Sequence, residues 1–164
     1  MPNPIEDPVQ VLREEHDKVL DVLDTMEDAI AELPGPRRSE AFSSLAQALD
    51  ILEHEVRSHD TLEEEVLYPS LGRHVPAMTL EVMMEEHRDI GWAMDRQTQG
   101  LAAGERAFGE VRWHATALVD LLRRHIEKEN NAVFLTVTQM LSDREYEDLA
   151  RVMHEVLAAR RQTA

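Results

Sequence analysis

Two stretches of the chain place a histidine four residues before a glutamate within an apolar run, and they constrain the fold more than any other feature. HDTLEEEVLY contains His59 and Glu63, and HIEKENNAVF contains His125 and Glu129. In an α-helix, residues four apart lie about 40° apart around the axis and about one turn along it. Each histidine and its glutamate are therefore expected on the same face of a helix.

Two further histidines lie on apolar stripes of their own, His16 in REEHDKVLDVL and His87 in MEEHRDIGWAM. The apolar residues that share a stripe with a histidine follow helical spacing: Val9, Leu12, Leu20 and Leu23 with His16; Leu52, Leu62 and Val66 with His59; Leu80, Met83, Ile90 and Met94 with His87; Leu118, Leu121, Leu122 and Ala132 with His125. The order EEH and then HxxxE occurs twice. This repeat predicts two similar helical hairpins that face each other, with these histidines and glutamates in the core.

The rest of the sequence favours long helices with short connections. Only six glycines are present among 164 residues. Asp7 followed by Pro8 is typical of a helix start, and SDRE at 142–145 has the spacing of a capping box. We predict helices at approximately 8–33, 39–71, 79–103, 106–140 and 143–162. The expected fold is all-α: one domain over 1–164, an antiparallel up-down four-helix bundle with an additional C-terminal helix.

Composition and charge exclude several classes of function. The formal net charge is −16, so neither nucleic acid nor an anionic membrane is expected as a partner. The absence of cysteine excludes disulfides, thiolate zinc sites and iron–sulfur ligation by this chain. The sequence contains no long uninterrupted apolar run, and MPNPIEDP does not have the pattern of a signal peptide. A cytoplasmic location is therefore expected.

Two carboxylates in an apolar core need a compensating charge. A buried carboxylate without a partner is costly, and two that face each other also repel. Glu63 and Glu129 could be protonated or paired with basic residues, but Lys and Arg mostly fall off these stripes. A pair of metal ions would balance the charge, with neutral imidazoles as further ligands. The alternative is that the histidines are hydrogen-bonded core residues and the HxxxE spacing arises by chance in acidic helices.

The order of these residues resembles the hemerythrin HHE cation-binding family: His16, His59–x3–Glu63, His87 and His125–x3–Glu129. The resemblance extends from about Val9 to Met140. It implies a four-helix bundle that holds a non-haem di-iron centre, with the four histidines as terminal ligands. The two glutamates would bridge two Fe ions, together with an oxo or hydroxo group.

The sequence departs from the oxygen-carrying members of that family at Gly91, where they have a further histidine. Two six-coordinate ions offer about twelve positions, of which the implied ligands fill about ten. This predicts a ligand pocket beside the iron held by His87, lined by Gly91, Met83, Met84 and Met94. The alternative is that Gly91 only permits close packing of helices.

The resemblance implies a protein that binds or reacts with a small ligand, O2, NO or H2O2. Reversible oxygen binding or sensing and an oxidoreductase that consumes peroxide or NO both remain open. Iron handling or repair of iron centres is a further possibility, although the cysteine-bearing segment of the family's repair proteins is missing. A metal-free or zinc-bound helical interaction module is an alternative of a different class. The sequence does not identify a redox partner.

Overall fold

The fold is an antiparallel bundle of four long helices with a fifth helix at its end, in a computed structural model that describes residues 6–163. The predicted fold class is confirmed, and no strand occurs within these residues. Residues 1–5 and residue 164, which belong to the predicted domain and include part of the stretch considered for a signal peptide, lie outside the described residues. Between residues 6 and 163, no helix combines the length and apolar character needed to cross a membrane.

Two of the bundle helices are interrupted by a π-helical segment. Helix α1 is Pro8–Glu32 and α3 is Ala77–Ala102. Helix α2 comprises Arg38–Leu62, the π-helical Glu63–Leu67 and Tyr68–Leu71. Helix α4 comprises Phe108–Lys128, the π-helical Glu129–Val133 and Phe134–Met140, and it follows a short 3-10 turn, Glu105–Ala107. Helix α5 is Asp143–Thr163.

Side-chain caps fix the starts of the first and last helices. The carboxylate of Asp7 accepts a hydrogen bond from the backbone N–H of Gln10 at 2.9 Å, with proline at the first turn. At the start of α5, the backbone N–H of Ser142 donates to Glu145 and the Glu145 N–H donates back to the Ser142 hydroxyl, as a capping box predicts. The hydroxyl of Tyr146 also donates to Asp7, at 3.0 Å. This bond holds the beginning of α5 against the beginning of α1.

The apolar core consists of two separate clusters, one along most of the bundle and one at the end that α5 covers. On each bundle helix the change from one cluster to the other falls at a predicted ligand residue. These residues are flanked by members of the two clusters: Leu12 and Val19 around His16, Val56 and Leu62 around His59, Met83 and Ile90 around His87, and Ile126 and Val133 around Glu129. The predicted site therefore forms one polar layer across the bundle.

Candidate metal centre

The structure brings all six predicted ligand residues together inside the bundle. Both glutamates are 0% exposed, and the four histidines are also buried. Their donor atoms form two overlapping groups in which all atoms lie within 4.8 Å of one another. The first position is formed by His16 and His59 and the second position by His87 and His125, with Glu63 and Glu129 common to both. This donor set can hold metal cations, since imidazole and carboxylate are common metal ligands.

Each shared glutamate is the first residue of a π-helical segment. In these segments the backbone N–H of Tyr68 donates to the carbonyl of Glu63, and that of Phe134 donates to the carbonyl of Glu129. This i→i+5 bonding inserts an extra residue into the turn, a feature often found at functional sites. It places a buried aromatic ring on the same side of the helix as each glutamate. The aromatic residue that ends both copies of the motif is the sequence signal for this arrangement.

A hydrogen bond at Nδ1 orients each imidazole. The acceptors come from neighbouring helices: Asn130 for His16 at 3.1 Å, Glu15 for His59 at 2.8 Å, Glu64 for His87 at 2.8 Å, and Glu86 for His125 at 2.9 Å. Carboxylate and amide oxygens only accept hydrogen bonds, so Nδ1 carries a proton and Nε2 points into the site. Ligating histidines in metal proteins have this arrangement. Sequence reasoning missed these four acceptors, although each is adjacent in sequence to a predicted ligand.

Protons alone do not satisfy the buried histidines. Burial lowers the pKa of His87, but the nearby carboxylates of Glu129 and Glu63 outweigh burial and raise the pKa to about 11. However, the Nε2 atoms of His16 and His59 lie 3.0 Å apart, and those of His87 and His125 lie 3.1 Å apart. At that separation only one nitrogen of each pair can carry a proton, because two N–H groups would collide. A cation that accepts lone pairs from both nitrogens resolves this conflict.

The glutamates also have atoms that the protein leaves without a hydrogen bond. Glu63 Oε1 and Glu129 Oε2 are fully buried and accept none. Glu129 Oε2 lies 3.0 Å from His16 Nε2, without the geometry of a hydrogen bond. A buried carboxylate oxygen without a partner is costly, and cation coordination would satisfy it. The residues present therefore fit a metal site.

Tyr68 is a site residue to which sequence reasoning assigned no role. Its hydroxyl lies 3.0 Å from Glu63 Oε2, 3.0 Å from Glu129 Oε1 and 3.4 Å from His87 Nε2. The single phenol proton can be donated to only one carboxylate at a time. Burial and the nearby charges of Glu63 and Glu129 raise the pKa of Tyr68. Tyr68 therefore remains protonated and lies between the two carboxylates, with its hydroxyl donating to one of them at a time.

The environment of Gly91 differs from the predicted pocket. Gly91 lines an open surface groove that reaches His87, but Met83, Met84 and Met94 are not among its lining residues. Met83 lies one turn before His87 on α3 and Gly91 one turn after it, so they are about 12 Å apart along the axis. Met83 and Met84 pack in the core cluster under α5, and Met94 belongs to the other cluster. The groove is instead lined by polar and aromatic side chains: Arg57, Asp60, Thr61, Glu64, Arg88, Trp92 and Asp95.

The fold and the site together define a helical bundle with a buried histidine–carboxylate cluster between its helices, and this cluster fits a metal site. Residues 7–137 match the model of the hemerythrin HHE cation binding domain, and the chain belongs to this family. The resemblance inferred from the motifs is thereby confirmed. No curated protein matches the chain.

Proposed function

We propose that this protein is a non-haem di-iron protein that binds or reacts with O2, NO or H2O2 at a carboxylate-bridged metal pair. The observation that carries the proposal is the pair of fully buried glutamates, each with one oxygen that accepts no hydrogen bond, among four imidazoles. Glu63 and Glu129 belong to both groups of donor atoms. A carboxylate has two oxygens, so each glutamate can serve both positions.

The donor chemistry favours iron. Each position offers two histidines together with carboxylates, and a set of two histidines and one carboxylate with open positions is typical of non-haem Fe(II). Structural zinc sites are usually tetrahedral and closed. When bound, the iron pair would supply the redox chemistry and the site for the small ligand. The protein would hold the ions through His16, His59, His87, His125, Glu63 and Glu129 and exclude water with the two apolar clusters.

The groove beside His87 supports access by a small molecule. It is open to the surface, and its lining includes His87, Asp60 and Glu64. The side chains of His87 and Asp60 are 4% and 17% exposed, so the opening at the site is narrow. Such a passage suits a diatomic molecule or a peroxide better than a large substrate.

Metal analysis of the purified chain tests this proposal. Protein expressed with supplementary iron should contain about two Fe per chain, as two ions at the two overlapping positions require. Anaerobic reduction followed by O2, NO or H2O2 then separates stable binding from consumption of the ligand. Protein that contains no metal, or only zinc, after expression with iron would contradict the proposal and favour an interaction module.

Substitution of Gly91 tests whether the groove leads to an open coordination position. A Cβ at Gly91 would approach only the guanidinium of Arg57, at 3.8 Å, so the helix can accept a side chain there. We expect Gly91→His to fill the groove and weaken azide binding to the iron-loaded protein by about tenfold or more, or about 1.4 kcal/mol. Gly91→Ala is the matched control and should bind azide as the wild type does. Unchanged azide binding in Gly91→His would show that ligands enter elsewhere.

A further inference from the structure

The surroundings of the two metal positions break the symmetry of the bundle at one point. The residue that follows each shared glutamate accepts the Nδ1 hydrogen bond of a histidine on another helix. After Glu63 this residue is Glu64, which bonds His87 at 2.8 Å. After Glu129 it is Asn130, which bonds His16 at 3.1 Å. A charged acceptor therefore orients one imidazole, and a neutral amide orients its counterpart.

The other Nδ1 bonds do not compensate for this difference. His59 donates to Glu15 and His125 donates to Glu86, each a carboxylate at the equivalent place in its EEH motif. The first position thus has one carboxylate acceptor, and the second position has two. A carboxylate that accepts from Nδ1–H makes the imidazole a stronger donor to its metal.

Further charged groups lie beside both positions. Beside the first position, the guanidinium of Arg13 donates to the side-chain oxygen of Asn130 at 3.3 Å and to its backbone carbonyl at 3.1 Å. Beside the second position, Lys128 pairs with Glu86, but Asp60 adds a carboxylate oxygen 3.7 Å from His87 Nε2. Arg57 and Arg88 line the groove together with Glu64 and Asp60, so the difference between the two positions rests on the groups that accept from Nδ1.

We propose that the two metal positions are inequivalent and that Glu64 and Asn130 set the difference. The second position, at His87 and His125, binds a cation more tightly and stabilises the higher positive charge. Glu64 acts as a positioning residue, through its bond to His87. This inference rests on the proposed metal pair but concerns only how its two members differ.

The groove indicates which of the two metal positions a ligand would reach. It reaches His87 and is lined by both Glu64 and Asp60, so an incoming ligand meets the second position first. Aromatic stacking does not separate the two positions, since His16 stacks on Phe134 with ring centroids 5.2 Å apart and His87 stacks on Tyr68 with ring centroids 5.8 Å apart. The cation that is accessible to ligands is therefore the one that the surrounding carboxylates favour in a higher charge state.

Stepwise titration of the chelator-treated full chain with Co2+ tests the inference. The wild type should bind two ions in two separate steps. Glu64→Gln keeps an oxygen that can accept from His87 but removes the charge. Because the tighter second position fills first, this variant should weaken the affinity of the first binding step by about 10–100-fold. Asn130→Asp supplies a carboxylate acceptor for His16, and it should strengthen the affinity of the second binding step, which fills the first position. Both variants should bring the two steps closer together, which a merely structural effect of either residue would not do.

Glu65→Gln is the matched control, since Glu65 is the next residue, carries the same charge and is exposed. It should leave both steps unchanged, and far-UV circular dichroism should confirm the fold of every variant. Two Co2+ ions bound with equal affinity, or steps that neither Glu64→Gln nor Asn130→Asp moves, would overturn the inequivalence and leave the metal pair intact. Fewer than two ions bound to the wild type would overturn the proposed function together with this inference.

Discussion

Replacing both Glu63 and Glu129 with glutamine is expected to abolish metal binding and leave a folded helical bundle. The two carboxylates are the only predicted ligands shared by both positions, and a neutral amide cannot balance the charge of two cations. Loss of a supporting hydrogen bond typically costs about 10–100-fold in metal affinity, so loss of both shared ligands should cost more than about 100-fold. Metal analysis and thermal unfolding of the double variant would measure the effect.

The thermal measurement separates a binding role from a structural one. At free metal about 1,000 times each dissociation constant, the wild type should gain about 4 kcal/mol of stability per bound ion, or about 8 kcal/mol for two, and the double variant should gain none. Without metal, both proteins should show the same helical circular dichroism. Glu65→Gln, which removes an exposed carboxylate from the same π-helical segment, serves as the control. A double variant that still binds two metal ions would show that these glutamates are not ligands.

Phe134→Ala should produce the largest loss of stability among single substitutions near the site. Phe134 is fully buried, stacks on His16 at an interplanar angle of 16°, and lies beneath the guanidinium of Arg13 at 5.5 Å. Removing a buried phenylalanine ring costs about 3–5 kcal/mol through lost burial and the cavity that remains. Chemical denaturation with a chelator present would measure this cost independently of metal binding.

The neighbouring Leu135 provides the matched control for this substitution. Its side chain is 47% exposed, so Leu135→Ala should change stability by about 0.5 kcal/mol or less. Phe134→Leu keeps most of the buried volume, so its loss of stability should lie between those of Phe134→Ala and Leu135→Ala. In the metal-loaded protein, Phe134→Ala should also lower the affinity of the first position for a cation, because His16 loses the ring against which it packs. A loss of less than about 1 kcal/mol would show that the surrounding core closes over the cavity.

The sequence was informative wherever periodicity or spacing carried the signal. The apolar stripes and the repeated EEH and HxxxE motifs were sufficient to predict an all-α bundle and to choose the six residues that meet in its core. Helical spacing determines which face a residue occupies, and two HxxxE pairs on facing helices converge whatever the details of packing. The start of α1 at Asp7–Pro8 and the capping box of α5 follow from local hydrogen bonding, which is also encoded by short spacings.

The missed features depend on contacts between helices. The Nδ1 acceptors Glu15, Glu64, Glu86 and Asn130 lie beside ligands in sequence but bond histidines on other helices. The π-helical segments bring Tyr68 into the site, although regular α-helical spacing would direct it elsewhere. The methionines predicted to lie beside Gly91 are not among the residues that line the groove at Gly91. The prediction followed sequence proximity along α3, whereas the groove is formed between α3 and α2.

The polar layer has a consequence for how the bundle holds together. Above and below it, apolar side chains pack in two separate clusters, and every bundle helix passes through the layer with a histidine or a glutamate. A cation bound there would cross-link the four bundle helices at the same level of the bundle. A bound cation would then also stabilise the apolar cluster that α5 covers, although α5 carries none of the six predicted ligand residues.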